Sequence, residues 1–228
     1  MVDIQPRLIQ NSRNMEKVYV SLGADCGISR ALREANKKTF TFPFDWLVCF
    51  HSVHKSFAND FCGFLEDMVV NTTIGGVNEF NLEYNIRFFH RDLIKDYENT
   101  IQRRINRLLE TLTASDKEVI FIRRSHDQKH HAEIPYCGLS APAEIDDVQD
   151  MKLLRDILIS KYPNLKFKLN LFLQCPFCNK DQQNYEDDYL NIRRSTQMHI
   201  LNQNEEPWSR EFNEWVNYPL AKDQGAST

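Results

Sequence analysis

The sequence predicts an α/β fold, or an α+β fold, built as one layered domain in which helices flank a central sheet. Runs of β-branched and aromatic residues alternate along the chain with segments of helical periodicity. The run EVIFIRR at 118–124 contains the continuous apolar stretch VIFI, which is typical of buried parallel strands. The length of 228 residues suits a single domain. We therefore expect an N-terminal arm at 1–16, the domain at 17–205, and a docking helix with a tail at 206–228.

The first predicted unit is a strand followed by a helix. Residues 17–22, KVYVSL, form a β-branched and aromatic run that ends at Gly23, where a tight turn is expected. Asp25 is the predicted N-cap of the helix, which places Cys26 in its first turn. The apolar positions at helical spacing are Ile28, Ala31, Leu32 and Ala35.

The later elements follow from the same two periodicities. A helical pattern runs from about Phe50 to Leu65, after Pro43, and alternation at 80–90 predicts one strand that ends near His90. A stripe of Ile and Leu predicts an amphipathic helix at 97–112. The remaining elements are the strand at 118–124, a helix at 146–162, a strand at 167–175, and a C-terminal helix with Trp208, Phe212 and Trp215 on one face. That aromatic face is a candidate surface for a protein partner.

Composition and charge limit the class of protein. With 42% hydrophobic and 26% charged residues, the chain is typical of a folded globular protein. The 28 basic and 32 acidic side chains give a formal charge of −4, so no global field favours nucleic acid or a membrane surface. No run approaches the roughly 20 apolar residues that cross a bilayer. The six scattered cysteines imply no disulfide framework. We expect a soluble protein of the cytoplasm, or of a virion if its source is viral.

Cys26 is the candidate nucleophile. A thiol attacks as the thiolate, and the partial positive charge of a helix N-terminus stabilises that form. Backbone N–H groups around Gly23, Asp25 and Gly27 are candidates to stabilise an oxyanion, which acyl transfer requires. The alternative interpretation is that Cys26 packs as a small apolar residue, as most free cysteines do.

A cysteine nucleophile needs a base and a group that orients the base. His90 is the candidate base, and Asp45 or Asp127 is the candidate orienting group. Trp46 and Arg123 are candidate substrate contacts. A histidine bound to a backbone carbonyl and an aspartate that caps a turn are the alternatives at His90 and Asp45.

Three motifs carry a family resemblance. The segments SLGADCGISRALREAN, FTFPFDWL and IRFFHRD, followed by RRINRLL and VIFIRR, are similar in order and spacing to the family of papain-like cysteine peptidases of unknown function. They span about residues 17–125. The resemblance implies Cys26 as the nucleophile and His90 as the base. It leaves Asp45, Arg103, Arg104 and Arg123 as site or scaffold positions.

Two other motifs keep several interpretations open. Cys175 and Cys178 form a CPFC pair that could be redox-active, could bind zinc with Cys137, His130 and His131, or could be two ordinary thiols. The cluster at 123–131 contributes Arg123, His126 and Asp127 as candidate contacts for a carboxylate or phosphate at a strand end.

Two classes of function remain at the level of sequence. The first is a cysteine hydrolase or acyltransferase that acts on a peptide or another acyl substrate, with no cofactor and no metal. The second is a structural or interaction protein of a larger assembly, such as a virus particle, that keeps the fold without catalysis. An enzyme requires Cys26 to be exposed and within reach of a histidine.

Overall fold

The architecture is that of an α/β protein with two sheets. The computed structural model describes residues 15–23, 26–49, 51–71, 78–88, 94–126, 146–174 and 185–195. The four helices described there are α1 (Gly27–Glu34), α2 (Val53–Ala58), α3 (Tyr97–Thr113) and α4 (Asp147–Lys161). The predicted fold class is confirmed, because helices pack on a mainly parallel sheet.

The first sheet has five strands. They are β1 (Glu16–Ser21), β6 (Lys117–His126), β7 (Lys166–Gln174), β8 (Tyr185–Glu186) and β9 (Leu190–Ser195). Their order is β1-β6-β7-β9-β8. The first four of these are parallel, and β8 runs antiparallel to β9 at the edge. The register pairs Ser21 with Ile122, so the chain after β1 leaves the sheet beside the middle of β6.

The second sheet is small and antiparallel. It consists of β2 (Leu47–Cys49), β3 (Met68–Asn71), β4 (Asn78–Asn81) and β5 (Ile86–Phe88), in the order β2-β5-β4-β3. This sheet was not predicted from the sequence. Its strands have only three or four residues, which is too short for alternation to be recognised.

The two faces of the first sheet bury different clusters. Tyr19 and Ile122 pack with Ile28 and Leu32 of α1, whereas Val20 belongs to the main core with residues of α3, α4 and the second sheet. Successive side chains of a strand point to opposite faces. Thus α1 covers one face of the first sheet, and α3 and α4 cover the other.

Phenylalanine rings connect the main core to the second sheet. The ring centroid of Phe57 in α2 lies 6.1 Å from that of Phe44 and 5.9 Å from that of Phe121 in β6. Phe64 lies 5.9 Å from Phe88 of β5 in an edge-to-face arrangement. Such pairs add to the free energy of apolar burial. The segment between β1 and β5 is therefore anchored on the parallel sheet.

Several predicted boundaries were wrong. The helix expected from about Phe50 to Leu65 is limited to α2, because Asp60 and Phe61 adopt positive φ and end it. The single strand expected at 80–90 is two strands, β4 and β5, joined by a turn at 82–85. The strands β8 and β9 were also missed. The helices α3 and α4 and the strands β1, β6 and β7 lie where they were predicted, within one or two residues.

Candidate active site

Cys26 lies where a parallel strand passes into a helix. It occupies the N-cap position of α1, and its carbonyl oxygen accepts the N–H of Arg30 at 3.1 Å. The predicted strand and helix are confirmed, although the N-cap is Cys26 and not Asp25. The thiol is half-buried, and Arg30 on the next turn is exposed. A thiol at the start of a helix beside the carboxyl end of a parallel strand is placed where α/β proteins bind ligands.

Gly23 brings the chain before Cys26 close to β2. Its φ is +76°, and a Cβ atom there would lie 3.3 Å from the Cβ of Cys49. Its N–H points to Oγ of Ser21 at 3.4 Å. The positive φ and the close approach both favour glycine. Among the described residues, Gly27 is the other predicted oxyanion position, and it is the first residue of α1.

Arg123 lies beneath this turn and is 1% exposed. Its Nη1 donates to the carbonyl of Leu22 at 2.8 Å and its Nη2 to the carbonyl of Cys49 at 2.9 Å. Its Nε donates to Oδ1 of Asp147 at 2.8 Å. One guanidinium therefore connects the end of β1, the end of β2 and the start of α4. It holds the segment that leads to Cys26 against the segment that leads to His51.

His51 forms a buried cluster with Asp147 that the sequence analysis missed. The Nδ1 of His51 lies 3.1 Å from Oδ1 of Asp147, and both side chains are about 5% exposed or less. Burial alone would raise the pKa of Asp147, but the charge of Arg123 and the contact with His51 lower this pKa to about 2. Asp147 is therefore a buried carboxylate that accepts a hydrogen bond from the guanidinium of Arg123 and lies within ion-pair distance of the imidazole of His51.

A second pair repeats this arrangement one helical turn further on. The Nδ1 of His54 lies 2.6 Å from Oδ1 of Asp150, a fully buried side chain. The oxygens of Asp150 also accept the N–H groups of Val53 at 3.1 Å and His54 at 3.0 Å. Asp150 thus satisfies the first N–H groups of α2. The signal in the sequence was the matched spacing of HSVH at 51–54 and DVQD at 147–150.

Asp45 and Trp46 contact α1 and the segment that follows it. The Oδ2 of Asp45 accepts the N–H of Phe42 at 2.8 Å and pairs with Nζ of Lys38 at 2.9 Å. Lys38 also donates to Oγ of Ser29, one helical turn from Cys26. Burial lowers the pKa of Lys38, and Asp45 opposes this shift. Trp46 adopts φ +69° and packs beneath Lys38, whose Nζ lies 5.7 Å from the ring centroid.

Several predicted site residues lie outside the described residues. They are Asp25, His90, Asp127, His130, His131, Cys137, Cys175 and Cys178, together with the aromatic face of Trp208, Phe212 and Trp215. The backbone of His126 ends β6. Of the predicted arginines, Arg104 is buried and its Nη1 points to the carbonyl of Asp45 at 3.4 Å, while Arg103 is exposed on α3. The roles of these residues stay predictions.

The described residues contain no group of three or more His, Cys, Asp or Glu side chains that could hold a metal ion. Among the described residues, no helix is long and apolar enough to span a membrane.

Comparison with known families supports the resemblance seen in the sequence. Residues 17–82 match the model of a family described as "Putative papain-like cysteine peptidase (DUF1796)". The matched segment includes β1, the turn at Gly23, Cys26, α1, Asp45 and His51, and it ends before His90. No curated protein and no solved structure matches the chain.

Proposed function

We propose that this protein is a cysteine hydrolase in which the thiolate of Cys26 attacks the acyl carbon of a peptide or another acyl substrate. The observation that carries the proposal is the half-buried thiol at the start of α1, within the segment that matches the peptidase family. A helix N-terminus favours the thiolate and offers N–H donors for a developing oxyanion. The cysteine that the family resemblance marks is thus also one that is chemically suited to attack.

The reaction proceeds in two steps. The sulfur of Cys26 forms a bond to the acyl carbon, and the leaving group departs with a proton from a histidinium. Water then attacks the thioester, the histidine accepts its proton, and the thiol is released with the acid product. N–H groups near Gly23 and Gly27 are the proposed donors to the oxyanion in both steps.

His90 is the proposed base, and His51 is the alternative within the described residues. His90 follows β5, at the end of the motif IRFFH that carries the family resemblance. His51 has the feature that a catalytic histidine needs from its surroundings, a carboxylate at Nδ1, which is supplied by Asp147. Each histidine makes a different prediction for Cys26, so an experiment separates them.

The test is the rate at which iodoacetamide alkylates each cysteine between pH 5 and 9, with the modified sites assigned by mass spectrometry. Cys62 is exposed and serves as a reference thiol in the same chain. At pH 6 we expect Cys26 to react at least about tenfold faster than Cys62. An ordinary thiol, with a pKa of about 8.5, is almost entirely protonated at this pH, whereas the helix N-terminus favours the reactive thiolate of Cys26. His90→Ala should remove this advantage, and His51→Ala should leave most of it.

Other outcomes change the assignment. If only His51→Ala removes the advantage, His51 is the base and Asp147 its orienting group. If Cys26 reacts no faster than Cys62 in the wild-type protein, the hydrolase proposal is wrong. A binding or structural role, the other class considered from the sequence, then becomes the working hypothesis.

A further inference from the structure

A positively charged cavity lies beside the C-terminal half of α1. It has a volume of about 390 Å³ and is lined by Arg33, Lys38, Arg107, Trp46 and Phe40, with two threonines. Three of the seven lining side chains are cations and none is acidic. Because three of these side chains are positively charged and none is negatively charged, the cavity favours an anion over a cation.

The cations of the cavity are held in place by aromatic rings and a backbone carbonyl. The guanidinium of Arg33 lies 5.4 Å from the ring centroid of Trp46, and that of Arg107 lies 5.4 Å from the ring centroid of Phe40. The Nη1 of Arg107 also donates to the carbonyl of Thr41 at 2.8 Å. A stacked guanidinium keeps N–H groups at its edge available, and little side-chain entropy is lost when they bind a ligand.

Two of the three positive charges are not compensated within the described part of the chain. Lys38 is paired with the buried carboxylate of Asp45. Arg33 and Arg107 have no carboxylate partner among the described residues. The neighbouring Arg30, which lies outside the cavity, pairs with Glu34 at 2.9 Å. The cavity therefore retains the charge of two arginines.

The cavity and Cys26 share the solvent-facing side of α1. Arg33 is seven residues after Cys26, and seven residues at about 100° each complete nearly two turns. Residues on the opposite side, Ile28, Ala31 and Leu32, are buried against the first sheet. At about 1.5 Å per residue the separation along the helix is about 10 Å. An extended peptide covers this distance in about three residues.

We propose that this cavity binds a carboxylate or phosphate group of the substrate, about three residues from the acyl carbon that Cys26 attacks. The inference rests on the proposed function, because it assigns this anion to the substrate of Cys26. Arg33 and Arg107 bind the anion through their N–H groups, and the rings of Trp46 and Phe40 keep both guanidinium groups in position.

Tethered alkylating reagents test this proposal. N-chloroacetyl-Gly-Gly-glutamate amide carries its anion about three residues from the reactive carbon, and the glutamine analogue is its neutral match. The thiolate displaces chloride, so a C–S bond forms and the C–Cl bond breaks. A third reagent with phosphoserine in place of glutamate distinguishes a phosphate site from a carboxylate site. The rate of Cys26 modification by each reagent is measured on the full chain at low salt.

We expect the glutamate or the phosphoserine reagent to modify Cys26 at least about fivefold faster than the glutamine reagent, since a charge-assisted bond to arginine is strong. Arg33→Gln should make the rates with the anionic and the neutral reagent nearly equal. Lys152→Gln is the control, because it removes a positive charge from an exposed position of α4 that does not line the cavity, and it should leave the ratio intact. High salt should reduce the ratio in the wild-type protein.

Equal rates for all three reagents, or a ratio that survives Arg33→Gln, would overturn the proposal. The ratio compares two reagents on the same thiol, so it measures the cavity even when Cys26 is slow. A slow Cys26 with an intact ratio would contradict the hydrolase and not the anion site. A fast Cys26 with no ratio would contradict the anion site alone.

Discussion

Arg123 and Asp147 form a buried ion pair in which Nη2 lies 2.6 Å from Oδ1, with side-chain exposures of 1% and 4%. The same guanidinium binds the carbonyls of Leu22 and Cys49. Burial alone would lower the pKa of Arg123, but the negative charge of Asp147 raises this pKa above its ordinary value. The ion pair is therefore both an anchor for α4 on β6 and a support for the turn that leads to Cys26.

We predict that Arg123→Met destabilises the fold by roughly 3–5 kcal/mol, because it leaves the carboxylate of Asp147 buried without its cation. Urea unfolding of the wild-type and variant proteins measures the change. The double variant Arg123→Met with Asp147→Leu should cost less than Arg123→Met alone, because no buried charge remains unpaired. A free energy of unfolding for Arg123→Met within about 1 kcal/mol of the wild-type value would contradict this account of the pair.

Asp147 also makes stability depend on acid pH. Its pKa in the folded protein is about 2, below its ordinary value of 3.8. Its charged form therefore stabilises the fold above about pH 4, and this contribution, about 2 kcal/mol, is lost as the pH falls through 2. We predict that Asp147→Asn shows a shallower loss of stability between pH 5 and 2.5 than the wild type does in urea unfolding.

The control for this comparison is Asp156→Asn, which removes an exposed carboxylate on the same helix. Its pH dependence should follow that of the wild type. A wild-type slope that Asp147→Asn leaves unchanged would mean that Asp147 does not carry the acid dependence.

The three described cysteines should differ in reactivity. Burial raises the pKa of Cys49 to about 12, so almost no thiolate exists at pH 8. We predict that native Cys49 resists iodoacetamide at pH 8 while the exposed Cys62 reacts, and that Cys49 reacts at an ordinary thiol rate in urea. Modification of native Cys49 at the rate of Cys62 would show that its segment opens frequently.

The sequence allowed part of this architecture to be predicted. The elements that were placed correctly, such as β1, α3 and β6, have either helical periodicity over several turns or a long apolar run. The second sheet has neither, and Phe88 of its strand β5 packs on Phe64 from a separate segment of the chain. Sequence periodicity therefore identified the helices and strands that are determined locally, and it missed the strands that depend on contacts with distant parts of the chain.

The same distinction applies to the candidate site, where features set by neighbouring residues were predicted and contacts between distant residues were not. The position of Cys26 at a helix start follows from the strand, the glycine turn and the helix that surround it. The contact between His51 and Asp147 joins distant parts of the chain, and the matched spacing of HSVH and DVQD does not by itself show that the two motifs meet. Asp45 was considered as an orienting group, and its carboxylate pairs with Lys38 because the turn after α1 folds back along the helix.

The turn before Cys26 gives the most direct link between local geometry and the thiol. Gly23→Ala places a Cβ atom 3.3 Å from the Cβ of Cys49 and forces the backbone of an alanine to adopt φ +76°. The positive φ alone costs about 1–2 kcal/mol. We predict a larger loss for Gly23→Ala in urea unfolding, together with a changed alkylation rate at Cys26, because the turn must move away from β2.

Gly63→Ala is the matched control for this variant. Gly63 has nearly the same φ, +74°, but a Cβ atom there would lie 3.8 Å from the Cε2 of Tyr84, which is an ordinary contact. Its substitution should cost only the conformational term and leave the alkylation of Cys26 unchanged. Equal losses for the two variants would mean that the close approach of Gly23 to Cys49 adds nothing. An unchanged rate at Cys26 in Gly23→Ala would mean that the thiol is positioned by α1 and not by the turn.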